Sequence, residues 1–348
     1  MSTLPDQRGM IHAERLYSLL LYLYPQGFRR AYGHQMRQIF RDCYRDERRQ
    51  GNLSRFWASL FYDVATSASS EHMQLLITRI KRLLGMERKS LMATTQFRLQ
   101  TASLTDIGLK RAVNEDNMLS VLPDNPKLLE RKGALFVVAD GMGGHKFGDI
   151  ASDIAVRGIR EAYYKDPGED IEASLRRSVQ AADQEIYRRN QESGTREEGK
   201  WMATTCVVAV LKDERLYIAN IGDSLAYVIR GNQILQLAEN HSWVEEQVRL
   251  GTMTREVAQA QGKNNVITRC MGLNSEIEVF TTSEPIQNSD ILVLCTDGLH
   301  GKVGEDEIRD ITQQFGPEES TKRLIARANE EGGPDNITAV VVRISLAA

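Results

Sequence analysis

The chain has 348 residues, with 44 Lys+Arg against 47 Asp+Glu, 41% hydrophobic and 26% charged residues, and 4 cysteines. These proportions belong to an ordinary folded protein and exclude a disordered, collagen-like or disulfide-stapled chain; the length predicts two domains, and the balanced charge gives no reason to expect nucleic-acid binding. The total hides an asymmetry: residues 1–90 hold 15 basic and 8 acidic side chains (net +7) and the remainder 29 and 39 (net −10), so front and rear read as two units with two jobs.

Residues 1–10 lack the charged start and apolar run of a signal peptide. The most apolar early stretch, Leu16 to Tyr24, is far shorter than the ~20 residues needed to cross a bilayer. Cys43, Cys206, Cys270 and Cys295 are scattered without metal-finger spacing, so nothing demands an oxidising compartment. A cytoplasmic protein is expected, with peripheral membrane association left open.

Helices are predicted over residues 14–24, 28–50, 54–67 and 71–84. The first is stopped by Pro25 and Gly27. In the second, Phe28, Tyr32, Met36, Ile39, Phe40, Cys43 and Tyr44 fall in steps of three and four on one face, opposite Arg29, Arg30, Arg37, Arg41, Arg45, Arg48 and Arg49. The plain reading is a small helical bundle with a solvated basic surface. The functional one is a docking or regulatory module for an acidic protein or an anionic membrane. The run Leu-Tyr-x-Leu-Leu-Leu-x-Leu-Tyr-Pro, then Phe-Arg-x-x-Tyr-Gly-x-x-Met and Phe-Arg-Asp, resembles a helical prefix found ahead of some bacterial transporter permease subunits. That resemblance implies a module used near membranes and names no ligand.

Residues 91–96 show no periodicity and read as a linker. From 97 to 348, β-branched runs predict strands at 97–103, 134–139, 205–211, 216–221, 226–230, 233–237, 291–295 and 337–344. Two helices are predicted between 150 and 193, and another over 317–331. Helices come in blocks between meandering strands, which favours α+β with largely antiparallel sheets over a doubly wound parallel fold.

Several apolar runs end in an aspartate beside a glycine. These are Asp140-Gly141-Met-Gly-Gly-His145, Gly222-Asp223-Ser224 and Asp297-Gly298; Gly332-Gly333-Pro334-Asp335-Asn336, just before a strand, adds a fourth acidic point and Asn114-Glu115-Asp116 a fifth. One Asp-Gly pair is ordinary turn chemistry. Several carboxylates at one end of a sheet core repel each other and persist when cations neutralise them. All-oxygen donors suit hard ions such as Mg2+ or Mn2+.

The order of these motifs, starting at Thr105-Asp-Ile-Gly-Leu-Lys-Arg111 and continuing through Thr204-Thr205, Glu239-Asn-His241-Ser242, Asn265-Val-Ile-Thr268-Arg269 and Asp335-Asn336-x-Thr338, resembles the metal-dependent PPM (type 2C) protein Ser/Thr phosphatases of bacteria over roughly 250 residues. The resemblance implies a four-layer β-sandwich flanked by helices, and hydrolysis of phosphoserine and phosphothreonine in proteins by a metal-activated water. It implies two Mg2+ or Mn2+ ions and a third, weaker one. Asp140 would bridge two ions, with the Gly141 carbonyl on one; Asp297 and Asp335 would complete one ligand set. Glu115 would support the other ion with Asp116 nearby, and Asp223 with Asp297 would take the third. Arg111 would hold the substrate phosphate. His145, Asn336 and His241 fall at supporting or flap positions. The implied partners are phosphorylated proteins, a Ser/Thr kinase or its targets among them.

The chain departs from the family where Met142 follows Asp-Gly in place of the His of many eukaryotic members, and where Leu225 replaces an Arg after Gly-Asp-Ser. The second departure leaves open what supports Asp223. Competing readings are a phosphoprotein-binding module without catalysis and a membrane-adjacent adaptor. A dead copy would be expected to lose its metal aspartates, and Asp140, Asp297, Asp335 and Arg111 are all present.

Overall fold

A computed structural model describes residues 13–14, 16–24, 40–41, 44, 53, 57, 60, 92–94, 97–142, 147–192, 201–263 and 265–346. The chain divides into two compact units, Met1–Arg88 and Lys89–Ala348.

In the first unit, residues 13–14 and 16–20 are helical and tighten into a 3-10 turn, Leu21–Leu23. The helix stops at Tyr24, whose ψ of 152° is the extended conformation imposed by a following proline. Ala13, Tyr17, Leu21 and Tyr24 repeat at helical spacing and are buried with Phe40 and Tyr44. Tyr17 stacks on Phe40 with 4.3 Å between ring centroids, and Trp57 tilts against Phe40 at 5.8 Å. Arg41 pairs with Glu14. The predicted second and third helices are helical at positions 40, 41, 44, 57 and 60; the fourth lies outside the described residues. No helix among the described residues is long and apolar enough to cross a membrane.

The second unit is built on two antiparallel sheets. One runs in the order β1 (Met92–Thr94), β2 (Phe97–Asp106), β12 (Ile337–Leu346), β11 (Ile291–Cys295), β8 (Leu225–Arg230) and β9 (Gln233–Gln236). The other runs β10 (Phe280–Pro285), β7 (Arg215–Ile221), β6 (Cys206–Lys212), β4 (Ala134–Met142) and β3 (Asp116–Val121), with the short β5 (Ala203–Thr204) pairing on β4. Met92–Thr94 lies within the stretch read as a linker and pairs with residues 97–99 as a hairpin.

The continuous apolar runs reflect burial on both faces of a strand. In β4, Ala134, Phe136 and Val138 enter the core between the sheets, while Leu135, Val137 and Ala139 face an outer helix layer. In β6, Val207, Ala209 and Leu211 alternate with Cys206, Val208 and Val210 in the same way. The outer layer is α2 (Gly148–Lys165) and α3 (Ile171–Glu192), which follow the short α1 (Pro126–Lys132). Their Ala155, Ile159, Leu175, Val179, Ala182 and Ile186 are buried at three- and four-residue spacing. On the other side, Ile308 of α7 (Glu305–Gln314) and Leu324, Ile325 and Ala328 of α8 (Pro317–Glu330) pack onto the first sheet. The result is helices, sheet, sheet, helices, the four-layer arrangement expected above.

The strands β3 and β10 and the helices α1, α4 (Trp243–Arg249), α5 (Arg255–Ala260), α6 (Asp297–His300) and α7 were not expected from the sequence. They are short or half-exposed, so their apolar periodicity is weak. Caps were their legible signal: Asn125 caps α1 ahead of Pro126, Ser242 caps α4 and Thr254 caps α5.

Candidate active site

Sheet register gathers the acidic motifs at one end. Leu225 pairs with Cys295 and Cys295 with Ala339, so residues just outside this row (Asp223, Asp297 and Asp335) stand together at that rim of the first sheet. In the second sheet, Asp116 is the direct cross-strand partner of Asp140. Asp223, Asp297 and Asp335 line a cleft of about 750 Å3 with Arg111, Ser242 and Arg255.

Several of these acidic residues are held, by side chain or by backbone, by groups from distant parts of the chain. Asp116 accepts two hydroxyls on Oδ2, from Thr296 at 2.9 Å and Thr338 at 2.7 Å. Thr338 also meets Thr105 at 2.7 Å, and Asn114 donates to Thr105 at 2.9 Å. The backbone of Asp140 is gripped on both sides: its carbonyl accepts from the Thr204 hydroxyl and the Thr205 amide, and its amide donates to the Thr205 hydroxyl. The Glu115 carboxylate lies against the N-terminus of α2, where the Gly148 amide donates to it. A Cβ on Gly148 would fall 2.5 Å from Glu115 Oε1, so this approach requires glycine.

Asn336 staples the loop that carries Arg111. Its Oδ1 accepts from the Glu115 amide at 2.8 Å, and its Nδ2 donates to the carbonyls of Ile107 and Val113. Arg111 is half-exposed and donates from Nη2 to Asp335 Oδ2 at 2.6 Å. Gly141 donates its amide to the Glu115 carbonyl at 3.2 Å. Buried His241 stands at the foot of the segment formed by α4 and α5. Its Nδ1 accepts from the Gly222 amide at 3.0 Å, and its own amide donates back to the Gly222 carbonyl. Gly222 adopts φ +98°, and a Cβ there would meet Thr205 Cβ at 2.6 Å. His145 lies outside the described residues.

The electrostatics are those of a site built for cations. Burial pushes the Asp116 carboxyl up to about 7, against the pull of the Thr338 and Thr296 hydroxyls. Burial and the Asp297 charge do the same for Asp223, to about 7. Asp140 is held well above the ordinary carboxylate range by burial and by Asp116, Asp297, Asp223 and Asp335 around it. Asp116 Oδ1, Asp223 Oδ1 and Asp297 Oδ1 are buried and accept no hydrogen bond.

Orphaned buried carboxylate oxygens are costly and rare, and a hard divalent cation satisfies them. The soft donors nearby do not compete: Cys206 and Cys295 are buried, and burial holds their thiols protonated. Among the described residues no group of three or more His, Cys, Asp or Glu side chains is placed so that it could hold a metal ion as it stands. The fit to Mg2+ or Mn2+ therefore rests on the donor chemistry and the unsatisfied oxygens.

Sequence reasoning missed the hydroxyls of Thr296 and Thr338 on Asp116, the contact of Glu115 with α2, and His300, whose Nε2 lies 2.9 Å from the Asp223 carbonyl. Thr296 and His300 flank the Asp297-Gly298 motif, but nothing local says what they touch.

Residues 115–340 match the Protein phosphatase 2C family. The chain is 37% identical over 249 residues to the serine/threonine phosphatase stp of Listeria welshimeri serovar 6b, covering 70% of this chain and 94% of that one. The crystal structure of the Mycobacterium tuberculosis serine/threonine phosphatase PstP/Ppp superposes with a TM-score of 0.62 at 32% identity, over 71% of this chain and 99% of that one. The catalytic domain of PstP in complex with 2 manganese ions gives a TM-score of 0.61 at 31% identity, over 72% and 99% of the two chains.

Proposed function

The chain belongs to the protein phosphatase 2C family, and from that premise we propose how its residues share the work of a metal-dependent protein serine/threonine phosphatase. The substrates are phosphoserine and phosphothreonine in proteins, and the cofactors are two Mg2+ or Mn2+ ions. The observation that carries the reading is the set of buried carboxylate oxygens on Asp116, Asp223 and Asp297 with no hydrogen bond, gathered around Asp140.

Asp140, with the Gly141 carbonyl, Asp297 and Asp335, would hold the ions, with Glu115 and Asp116 supporting the second. Asp223 with Asp297 would take a third, weaker one. When bound, the ions supply Lewis-acid charge and activate the attacking water. Arg111 places two guanidinium N–H groups on the phosphate oxygens and offsets their charge as the seryl or threonyl oxygen leaves. Asn336 keeps Arg111 and Glu115 in register by holding the backbone on both sides of Arg111. Thr204 and Thr205 fix the Asp140 backbone, so its carboxylate would be offered to an ion from a fixed anchor. His241, neutral because of burial and the nearby Arg269 and Arg249, ties the flap to Gly222 and moves no proton. His145 we assign a supporting role on its position in the motif alone.

We infer that the unit before residue 90 docks the enzyme onto an acidic protein or an anionic membrane, because it carries net +7 and a predicted arginine face. Its likeness to a permease-associated helical prefix points the same way. Phosphorylated proteins, a Ser/Thr kinase or its targets among them, would meet the catalytic unit there.

The test is a phosphothreonine peptide given to the purified chain with Mn2+. Turnover abolished by EDTA is expected, and no EDTA-sensitive turnover across several peptides would sink the reading. Flotation of the full chain with anionic liposomes at low salt tests the docking role. Equal flotation when Arg41, Arg45, Arg48 and Arg49 are changed to Gln would count against the basic face.

A further inference from the structure

Asp223 is a buried carboxylate in a tight turn, and the residue after Ser224 gives it no polar support: Leu225 is buried in the core between the sheets. The turn is instead held at three successive residues. His241 takes the amide and the carbonyl of Gly222. The Ser224 hydroxyl meets the Thr205 hydroxyl at 2.7 Å. The carbonyl of Asp223 itself faces His300 Nε2 at 2.9 Å. A carbonyl can only accept, so Nε2 is the protonated nitrogen.

Of these three holds, the one from His300 comes from the segment that carries another candidate ligand. His300 is the last residue of α6, the helix that begins at Asp297. One imidazole therefore spans the two carboxylate-bearing segments. It grips Asp223 by the backbone and does not occupy the carboxylate, whose Oδ1 accepts no hydrogen bond.

We propose that His300 is a positioning residue that locks the Asp223 turn to the Asp297 helix and so sets the spacing of the two carboxylates that take the weakest ion. The inference rests on the reading of Asp223 and Asp297 as ligands. It supplies the support that Leu225 cannot give, from a residue on another strand connection. An outer hydrogen bond of this kind tunes affinity for an ion without touching it.

The experiment uses the full chain with His300→Gln, which keeps a donor near the Nε2 position, and His300→Phe, which fills the space without one. Calorimetric titration with Mn2+ is read alongside turnover of a phosphothreonine peptide. In His300→Phe the weakest Mn2+ is expected to lose about tenfold or more in affinity while the tighter ions change less than about threefold, and His300→Gln is expected to stay near wild type. Equal weak-site affinity in the Phe and Gln variants, whether native-like or impaired, overturns the role of His300 and leaves the phosphatase reading intact. A wild-type chain that hydrolyses the peptide but binds no ion sensitive to Asp223→Asn overturns the ligand reading and the proposal with it.

Discussion

Arg111 Nη2 donates to Asp335 Oδ2 across 2.6 Å, so the group proposed to bind phosphate and a group proposed to bind metal are paired with each other. The two residues lie 224 positions apart, and the contact closes the loop before β3 onto the turn before β12. If Asp335 holds an ion as proposed, guanidinium and ion would compete for it, and loading the ion would free the guanidinium for the substrate.

Arg111→Ala should then separate binding from turnover. Mn2+ affinity is expected to stay level or rise up to about fivefold, the range of an exposed ion pair worth up to ~1 kcal/mol. In the same variant kcat/KM for a phosphopeptide should fall about 10- to 100-fold, as for lost hydrogen bonds to a charged group. Calorimetry and steady-state kinetics on one preparation check both. Mn2+ binding weakened in step with turnover would show that Arg111 acts through the metal site instead.

Gly148→Ala should displace Glu115. The added Cβ would lie 2.5 Å from Glu115 Oε1 and 2.8 Å from its carboxyl carbon. Turnover at limiting Mn2+ is expected to fall about tenfold, the scale of a disturbed ligand support. Gly316→Ala is the control, since a Cβ there meets nothing within 4 Å. Equal activity of the two variants would remove the Glu115 contact from the account.

Metal binding should release protons. Without ions, burial holds the Asp116 and Asp223 carboxyls up at about 7 and Asp140 well above the ordinary carboxylate range, so a cation entering at pH 7 displaces protons and affinity rises with pH. Folded-state values above the unfolded carboxylate value stabilise at low pH, and that contribution is lost as pH rises through about 7. EDTA-treated protein should accordingly show a smaller Tm gain from Mn2+ at pH 6 than at pH 8. Calorimetry in buffers of different ionisation enthalpy counts the protons; a zero count contradicts the cluster.

His241 acts in the opposite sense. Burial, aided by Arg269 and Arg249, lowers its pKa to about 4 from 6.5. Its contribution is complete above 6.5 and is lost as pH falls from there to about 4. His241→Asn, which can still accept from Gly222, should flatten the stability profile across that window. Urea melts at pH 7 and pH 5, compared between variant and wild type, read the difference. An unchanged slope would mean that His241 is not held neutral.

Much of the catalytic unit was legible because its signals are local. Apolar runs such as 134–139 and 205–211 mark strands buried on both faces, and the split of β4 between two cores shows why they read as continuous rather than alternating. Asp-Gly pairs at strand ends announced Asp140 and Asp297. By contrast, β3 went unseen because Asp116–Val121 mixes polar and half-buried residues, although it places Asp116 opposite Asp140.

By itself the sequence determined the α+β class, the order of the acidic motifs and the charge division between front and rear, since each depends on residues close together in the chain. Only the tertiary structure decided which group serves which carboxylate. Thr338 reaches Asp116 across 222 positions, Arg111 reaches Asp335 across 224, and His300 reaches the Asp223 carbonyl across 77. No local pattern encodes such contacts. They arise when two sheets pack and bring their strand ends to one rim, where every buried oxygen must find a hydrogen bond or a cation.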